Sequence, residues 1–217
     1  MDSLVIGCGF TLNRNRMVYK GEDPLAHARG SERRLGPIKF MLSRLVLFSA
    51  ALLPAFAQQG ETEKLAPYYP TPQLIVRKML ELGELKAGEK MFDLGSGDGR
   101  IVIMAAQKFD ADATGVELDN DLWRQSSDKI RTLGLTKKAR IIRGDVLKQD
   151  YSSADLITVY LLPLSNDKMR PVLEKQLKKG TRIVAHDFEF SDWTPVKTVD
   201  IDDDGEGRSH RLFLYQR

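Results

Sequence analysis

From about residue 73 onward, short apolar runs alternate with longer stretches in which apolar residues recur every three or four positions. The apolar runs predict strands at 91–94, 114–118, 139–143, 154–160, 181–185, 196–201 and 211–215. The longer stretches predict helices at 73–82, 100–108, 119–133 and 166–178. Strands that alternate with helices indicate an α/β fold, with a mostly parallel sheet and helices on both faces.

The segment 90–103, KMFDLGSGDGRIVI, predicts a strand, a tight turn and a helix. Gly95, Gly97 and Gly99 occupy alternate positions of the turn, where they allow the backbone to bend and to approach a ligand closely. The turn also leaves free N–H groups at a helix N-terminus. Asp93 falls at the carboxyl end of the strand, where open α/β sheets bind ligands.

The glycine spacing bears on which ligand this turn holds. The dinucleotide fingerprint is G-x-G-x-x-G, whereas here the third glycine comes one residue early and Arg100 fills its place. Asp98 adds a negative charge that would repel a pyrophosphate. The turn therefore favours a cofactor with a cationic centre and an amino-acid tail. A dinucleotide and a turn without a ligand remain alternatives at this point.

Two further strand ends carry carboxylates. Glu117 follows Gly99 by 18 residues, a distance at which an acidic residue can accept hydrogen bonds from a ribose diol. The alternative for Glu117 is a surface carboxylate that caps the next helix. Asp145 can accept from an adenine amino group, and Val146 can pack on the adenine ring.

The segment before the first helix has the sequence APYYPTP, at 66–72. Tyr68 and Tyr69 lie between prolines, which makes the segment stiff and predicts either a lid over the cofactor site or a packed connection to the helix. Thr71 is expected to cap that helix, with Pro72 at its first position and Gly83 at its end.

The glycine turn, followed by GVEL, GDVL and a strand that runs into YLLP, resembles the seven-strand methyltransferases that use S-adenosylmethionine (SAM). From about 69 to 193 the chain more narrowly resembles the mitochondrial lysine N-methyltransferases of the ATP synthase c-subunit and the adenine nucleotide translocase, with their bacterial relatives. The resemblance implies a Rossmann-like seven-strand sheet with an antiparallel last strand, SAM as cofactor, and a lysine of a protein, membrane proteins included, as acceptor.

The resemblance and the strand ends together give the candidate site residues. The candidates for cofactor binding are Thr71, Asp93, Leu94, Gly95, Ser96, Gly97, Asp98, Gly99, Glu117, Leu118, Asp145, Val146 and Tyr160. The candidates for acceptor binding are Tyr68, Tyr69 and Pro163. Tyr160 and His186 are the candidates for the catalytic step: a tyrosine ring can hold a methylated ammonium, and a histidine can accept a proton. A structural role is the alternative for His186, and the sequence shows no metal-ligand cluster.

Charge is unevenly distributed along the chain. The net charge is +3, but residues 1–57 hold eight Lys and Arg against four Asp and Glu, which leaves 58–217 with a net charge of −1. The domain therefore shows no basic surface for nucleic acid. The single cysteine, Cys8, lies outside the domain, which excludes a disulfide or a cysteine nucleophile there.

Four segments follow from composition. Residues 1–40 form a disordered leader, or upstream sequence translated ahead of a start at Met41. Residues 41–57 resemble a bacterial signal peptide with a basic start, an apolar core and A-F-A. An anchoring helix and a mitochondrial presequence are the alternatives. Residues 58–64 form a polar linker, and 65–217 form the methyltransferase domain.

The segments leave the compartment open, because a signal peptide predicts export or membrane attachment whereas SAM use predicts access to the cytoplasm. The oligomeric state is also open. Two other functions stay open beside catalysis by a methyltransferase: a non-catalytic SAM-binding protein and a dinucleotide-binding oxidoreductase.

Overall fold

The computed structural model describes residues 65–217, so the predictions for 1–40, 41–57 and 58–64 lie outside the described residues. The helices are α1 Gln73–Leu82, α2 Arg100–Lys108, α3 Asn120–Thr132 and α4 Pro163–Gln176, with a short 3-10 helix at Val146–Lys148. The strands are β1 Lys90–Leu94, β2 Asp112–Glu117, β3 Ala139–Arg143, β4 Leu156–Val159, β5 Arg182–His186, β6 Lys197–Ile201 and β7 His210–Gln216.

All seven strands form one sheet in the order β3-β2-β1-β4-β5-β7-β6. The strands β1 to β5 pair in parallel, and β7 runs antiparallel to both β5 and β6. The mostly parallel sheet with an antiparallel last strand is thus confirmed. The order reverses at β1, which lies between β2 and β4. Ligands of open α/β sheets bind beyond the carboxyl ends of the strands at such a reversal.

Each face of the sheet has its own hydrophobic core. Ile75, Val102 and Ile130 bring α1, α2 and α3 into the core on one face. Met169 and Leu173 bring α4 into the core on the other face. Full burial of one such side chain contributes about 1.5–3 kcal/mol, so the two layers hold the central strands rigidly. The predicted placement of helices on both faces is confirmed.

Two local predictions differ from the structure. Pro72, not Thr71, is the N-cap of α1, and no side chain caps that helix. The Thr71 carbonyl instead accepts a hydrogen bond from Arg100, which holds the residue at the wall of the cleft described below. The helix α4 begins at Pro163, three residues before the predicted start, because proline suits the first helical position. Among residues 65–217, no helix is long and apolar enough to cross a membrane.

Candidate cofactor and acceptor site

A cleft lies beyond the carboxyl ends of β1, β2 and β4, where the strand order reverses. The segment 65–71 and the glycine turn form two of its walls. The predicted residues that line it are Tyr68, Tyr69, Thr71, Asp93, Gly95, Ser96, Gly97, Asp98, Glu117, Leu118, Asp145, Val146 and Tyr160. Most of the predicted site residues therefore lie around one cleft.

Four predicted residues do not line the cleft, namely Leu94, Gly99, Pro163 and His186. Leu94 points into the core, and Gly99 caps α2 with a φ of +76°. Pro163 lines a separate surface hollow. His186 is buried behind Tyr160. For these four residues, sequence position alone gave no information on which way the side chain or backbone faces.

The glycine turn requires glycine at three positions. Gly95, Gly97 and Gly99 have φ values of +76°, +52° and +76°, in the left-handed region that other residues rarely adopt. A β-carbon at Gly97 would lie 2.7 Å from a ring carbon of Tyr68. The turn is fixed to the neighbouring strand because the Gly95 and Ser96 N–H groups both donate to the Val116 carbonyl, at 3.0 Å.

Glu117 connects the second strand to this turn. One of its carboxylate oxygens accepts from the Gly97 N–H at 2.7 Å, and the other accepts from the Asp119 N–H at 2.8 Å. The side chain is buried. The cap of α3 is Asp119, which accepts from the N–H groups of Asp121 and Leu122. The alternative of Glu117 as an exposed helix cap is therefore wrong.

Asp93 is buried at the end of β1, where its carboxylate accepts a hydrogen bond from the Thr158 hydroxyl at 2.8 Å. Burial, with a smaller contribution from the negative charges of Glu117 and Asp98, raises the pKa of Asp93 to about 7, although the hydrogen bond from Thr158 acts in the opposite direction. A cation bound in the cleft would stabilise the ionised carboxylate. Thr158 escaped prediction because it lies on β4, 65 residues away.

Arg100 is the main residue that sequence reasoning missed. Its guanidinium donates two hydrogen bonds of 2.9 Å to Asp98 and one of 2.8 Å to the Thr71 carbonyl. Burial alone would raise the pKa of Asp98, but the hydrogen bonds and charge of Arg100, together with Lys129, hold it below its usual value. The negative charge in the turn is thus neutralised by a partner that also holds the segment 65–71 against the turn.

Asp145 lies at the far end of the cleft and caps the 3-10 helix by accepting from the Leu147 N–H at 2.9 Å. The next residue, Val146, is held from behind because the Tyr151 hydroxyl donates to its carbonyl at 2.7 Å. The side chain of Tyr151 is fully buried, so this wall of the cleft is rigid.

Tyr160 defines the other end of the cleft, just beyond β4. Its ring packs on that of His186, with centroids 3.9 Å apart, and its hydroxyl donates to Asp187 at 3.3 Å. Burial and the nearby Asp187 raise the pKa of Tyr160 to about 12, so the phenol stays protonated near neutral pH. Burial lowers the pKa of His186 to about 4, which keeps its ring neutral. His186 thus supports Tyr160 from behind, in agreement with the structural alternative.

Behind Tyr160 the fold brings together His186, Asp187 and His210. The His186 Nε2 lies 2.9 Å from the His210 Nδ1, and the Asp187 Oδ2 lies within 3.3 Å of both nitrogens. The sequence gave no sign of this cluster because His210 belongs to β7, more than twenty residues away from the other two.

The segment 65–71 is anchored across the cleft. Arg208 donates a hydrogen bond to the Tyr69 hydroxyl, and its guanidinium carbon lies 5.5 Å from the centre of the Tyr69 ring. Arg208 also pairs with Asp204 at 3.1 Å, in the loop between β6 and β7. Ser165 of α4 donates to the Leu65 carbonyl. These contacts hold the segment against the cleft, and both interpretations of it, a lid and a packed connection to α1, stay predictions.

This strand order, with β7 reversed and a glycine turn after β1, defines the seven-strand class of SAM-dependent methyltransferases. A solved structure described as an RNA methyltransferase from Salinibacter ruber in complex with S-adenosyl-L-homocysteine is similar, with a TM-score of 0.64 and 38% identity. The similarity covers 68% of this chain and 93% of that one. TrmN from Thermus thermophilus matches at a TM-score of 0.58 and 15% identity, which shows the fold alone.

Sequence comparisons identify the family. The family described as the ANTKMT methyltransferase domain matches residues 93–197. A protein-lysine N-methyltransferase of Saccharolobus islandicus is 39% identical over 150 residues, which span 69% of this chain and 92% of that relative. A lysine N-methyltransferase of the ATP synthase c-subunit, from Rattus norvegicus, is 30% identical over 65% of this chain and 62% of its own length. The chain belongs to this family of methyltransferases, and its cofactor is SAM.

The residues of the cleft fit that cofactor. Gly95 and Gly97 line the cleft in backbone conformations that favour glycine, and the buried carboxylates of Asp93 and Glu117 suit a ligand with a positive centre. Ser96 also lines the cleft, but its buried hydroxyl packs against Gly115 of β2 and has no hydrogen-bond partner among the residues that the structure describes.

Proposed function

We propose that this enzyme transfers the methyl group of SAM to the side-chain nitrogen of a lysine in a protein. The observation that carries the proposal is the acceptor end of the cleft, where Tyr160 adjoins Asp187 and the acidic surface hollow that Asp187 lines. The Saccharolobus islandicus relative, named a protein-lysine N-methyltransferase, supports the same acceptor.

The cofactor-binding roles follow from the strand ends. The turn from Gly95 to Gly99, with Asp93 beside it, would hold the amino-acid half of the cofactor. Glu117 would accept from the ribose hydroxyls, since each of its oxygens keeps a free lone pair after its backbone contact. Asp145 would accept from the adenine amino group, with Val146 against the ring.

Bound SAM supplies an electrophilic methyl group on a sulfonium centre. The lysine must first lose a proton, although its free pKa is about 10.4. A cleft partly closed by the segment 65–71 disfavours the ammonium and lowers that pKa. The neutral amine then attacks the methyl carbon as the carbon–sulfur bond breaks, and the methylated nitrogen releases its extra proton to water. The ring of Tyr160 can hold the cationic forms of the nitrogen by cation–π attraction.

The charge beside the acceptor end favours protein over RNA. The surface hollow next to Tyr160 is lined by Asp187, Glu189, Asp200 and Asp202. Arg211 also lines it and pairs with Asp200, so these two charges offset each other and the excess negative charge comes from Asp187, Glu189 and Asp202. Nucleic-acid binding depends on basic groups that neutralise phosphates, whereas an acidic hollow attracts a lysine-rich segment of a protein. We therefore favour a protein acceptor despite the similarity to the Salinibacter ruber structure.

The apolar run at 45–56 motivates a further part of the proposal, that the acceptor is a membrane protein. A domain tethered by such a run would meet lysines near a membrane surface. The segment's structure lies outside the described residues, so this part depends on sequence alone.

The test is to incubate the full chain with tritiated SAM and fractionated lysate of its own source cells. We expect the label in protein of the membrane fraction, resistant to ribonuclease and sensitive to protease. Label that ribonuclease removes would overturn the choice of protein over RNA. Cofactor binding without any transfer would instead indicate the non-catalytic alternative.

A further inference from the structure

We propose that His186, Asp187 and His210 form a binding site for one divalent transition-metal cation of the zinc type. The site lies in the wall between the cofactor cleft and the acidic hollow, directly behind Tyr160. It is independent of the proposed cofactor binding, because its ligands are distinct from the residues assigned to SAM.

The three donor atoms have the spacing of a metal site. His186 Nε2, His210 Nδ1 and Asp187 Oδ2 form a triangle with edges of 2.9, 3.2 and 3.3 Å. A tetrahedral ion with bonds of about 2.0–2.1 Å has ligand atoms about 3.3 Å apart. Three protein ligands of this kind leave the fourth position for water. Two imidazoles and one carboxylate favour zinc, cobalt or a similar ion over magnesium and calcium, which prefer oxygen ligands.

Hydrogen bonds can also join these three atoms, because an N–H on either histidine can donate to the Asp187 oxygen that both rings face. One N–H can likewise join the two histidine nitrogens, which lie 2.9 Å apart. A cation at the centre would be attracted by the lone pairs of all three atoms at once and would displace these protons.

A carboxylate behind His210 supports the orientation of that ligand, whereas the His186 Nδ1 has no hydrogen-bond partner among the described residues. The other nitrogen of His210, Nε2, lies 3.1 Å from the buried carboxylate of Asp204. A metal-binding histidine commonly donates its remaining N–H to such a carboxylate, which fixes the ring orientation and the tautomer. Asp204 is itself held by Arg208 at 3.1 Å. These are contacts of an ordered ligand, made from β7 and the loop before it.

The site is reachable and adjoins the acceptor end. Asp187 lines the surface hollow, and 24% of its side chain is exposed, which gives an ion a route from solvent. The same Asp187 oxygen accepts from the Tyr160 hydroxyl at 3.3 Å. A bound ion would therefore tie the end of β5 to the start of β7 and would fix the carboxylate against which Tyr160 is oriented.

The test is direct titration of the full chain, without a histidine tag, with Co²⁺. We expect one equivalent to bind with the visible absorption of a four-coordinate cobalt centre, and Zn²⁺ to displace it. His210→Gln should weaken cobalt binding roughly a hundredfold or more, and Asp204→Asn by about tenfold to a hundredfold. His27→Gln is the matched control, because it removes the remaining histidine of the chain and should leave binding unchanged.

Thermal unfolding with and without Zn²⁺ provides a second readout, in which the midpoint should rise for the wild type and stay constant for Asp187→Asn. Circular dichroism shows whether each variant is folded, and the wild-type titration decides by itself if one is not. Absence of a one-to-one cobalt centre in the wild type would overturn the proposal. So would unchanged cobalt affinity in folded His210→Gln and Asp187→Asn. Either result leaves the proposed methyl transfer unaffected, since the readout is metal binding.

Discussion

The Tyr68 ring lies against the backbone of Gly97, so closely that a β-carbon on the glycine would come within 2.7 Å of it. The two residues are 29 positions apart and bring the segment before α1 onto the glycine turn after β1. Arg100 strengthens the same connection through Asp98 and the Thr71 carbonyl. The segment 65–71 and the glycine turn are therefore one structural unit.

Gly97→Ala should lower SAM affinity at least tenfold. The added β-carbon would displace Tyr68, and the φ of +52° would strain alanine by about 1–2 kcal/mol. Calorimetric titration with SAM measures the loss. Gly134→Ala is the matched control, because Gly134 has a φ of +69° with nothing within 4 Å of the added carbon. It should destabilise the fold slightly and leave SAM affinity unchanged; an equal loss in both variants would contradict this account of the turn.

Glu117→Gln should weaken SAM binding about tenfold to a hundredfold, which corresponds to roughly 1.5–3 kcal/mol. The amide has only one oxygen, so it cannot accept from both the Gly97 and the Asp119 N–H groups and also serve a ribose. Asp128→Asn is the control, since Asp128 is exposed on α3 and pairs with Arg131 on the same helix. Equal SAM affinity in Glu117→Gln and Asp128→Asn would remove the ribose role.

Local sequence signals were enough to predict the residues at the centre of the cleft. The glycine turn and the carboxylates Asp93, Glu117 and Asp145 lie at strand ends that the apolar pattern marks, and the alternation of strands and helices brings those ends to one edge. The helix boundaries of α1 and α2 also follow the sequence pattern.

The partners of these residues could not be found in the same way. Thr158 reaches Asp93 across 65 residues, and His210 reaches His186 across 24, so neither pair has a characteristic spacing. Register between strands, not local propensity, sets such contacts. His186 illustrates the point. Its position at a strand end makes it a catalytic candidate in the sequence, but in the fold it packs behind Tyr160 and does not line the cleft.

Asp93→Asn should change how stability depends on pH. The pKa of Asp93 in the fold, about 7, exceeds its ordinary value of 3.8, so the folded protein binds this proton more tightly than the unfolded chain. The stability that this proton contributes is complete below pH 3.8 and is lost as the pH rises through about 7. The free energy of unfolding of the variant, measured relative to that of the wild type and without SAM, should therefore rise by on the order of 4 kcal/mol between about pH 4 and pH 8. Urea unfolding at several pH values measures this difference, and a constant difference across that range would contradict it.

Tyr160→Phe should retain most of the methyl transfer, because the ring and its packing on His186 remain. Tyr160→Ala removes the ring and should lower kcat/KM for the acceptor a further twofold to thirtyfold, which corresponds to roughly 0.5–2 kcal/mol of cation–π attraction. Steady-state kinetics with a labelled acceptor, together with the SAM dissociation constant, separates the two effects. Equal kcat/KM for the two variants would show that the ring does not contact the acceptor.

The most direct test of the central claim is amino-acid analysis of the protein that the enzyme labels with tritiated SAM. After complete hydrolysis, the account predicts that the tritium co-migrates with mono-, di- or trimethyl-lysine, and that Gly97→Ala gives almost none. Tritium in methylated arginine or histidine, or in nucleosides of the same reaction, would contradict the assignment of lysine as the acceptor.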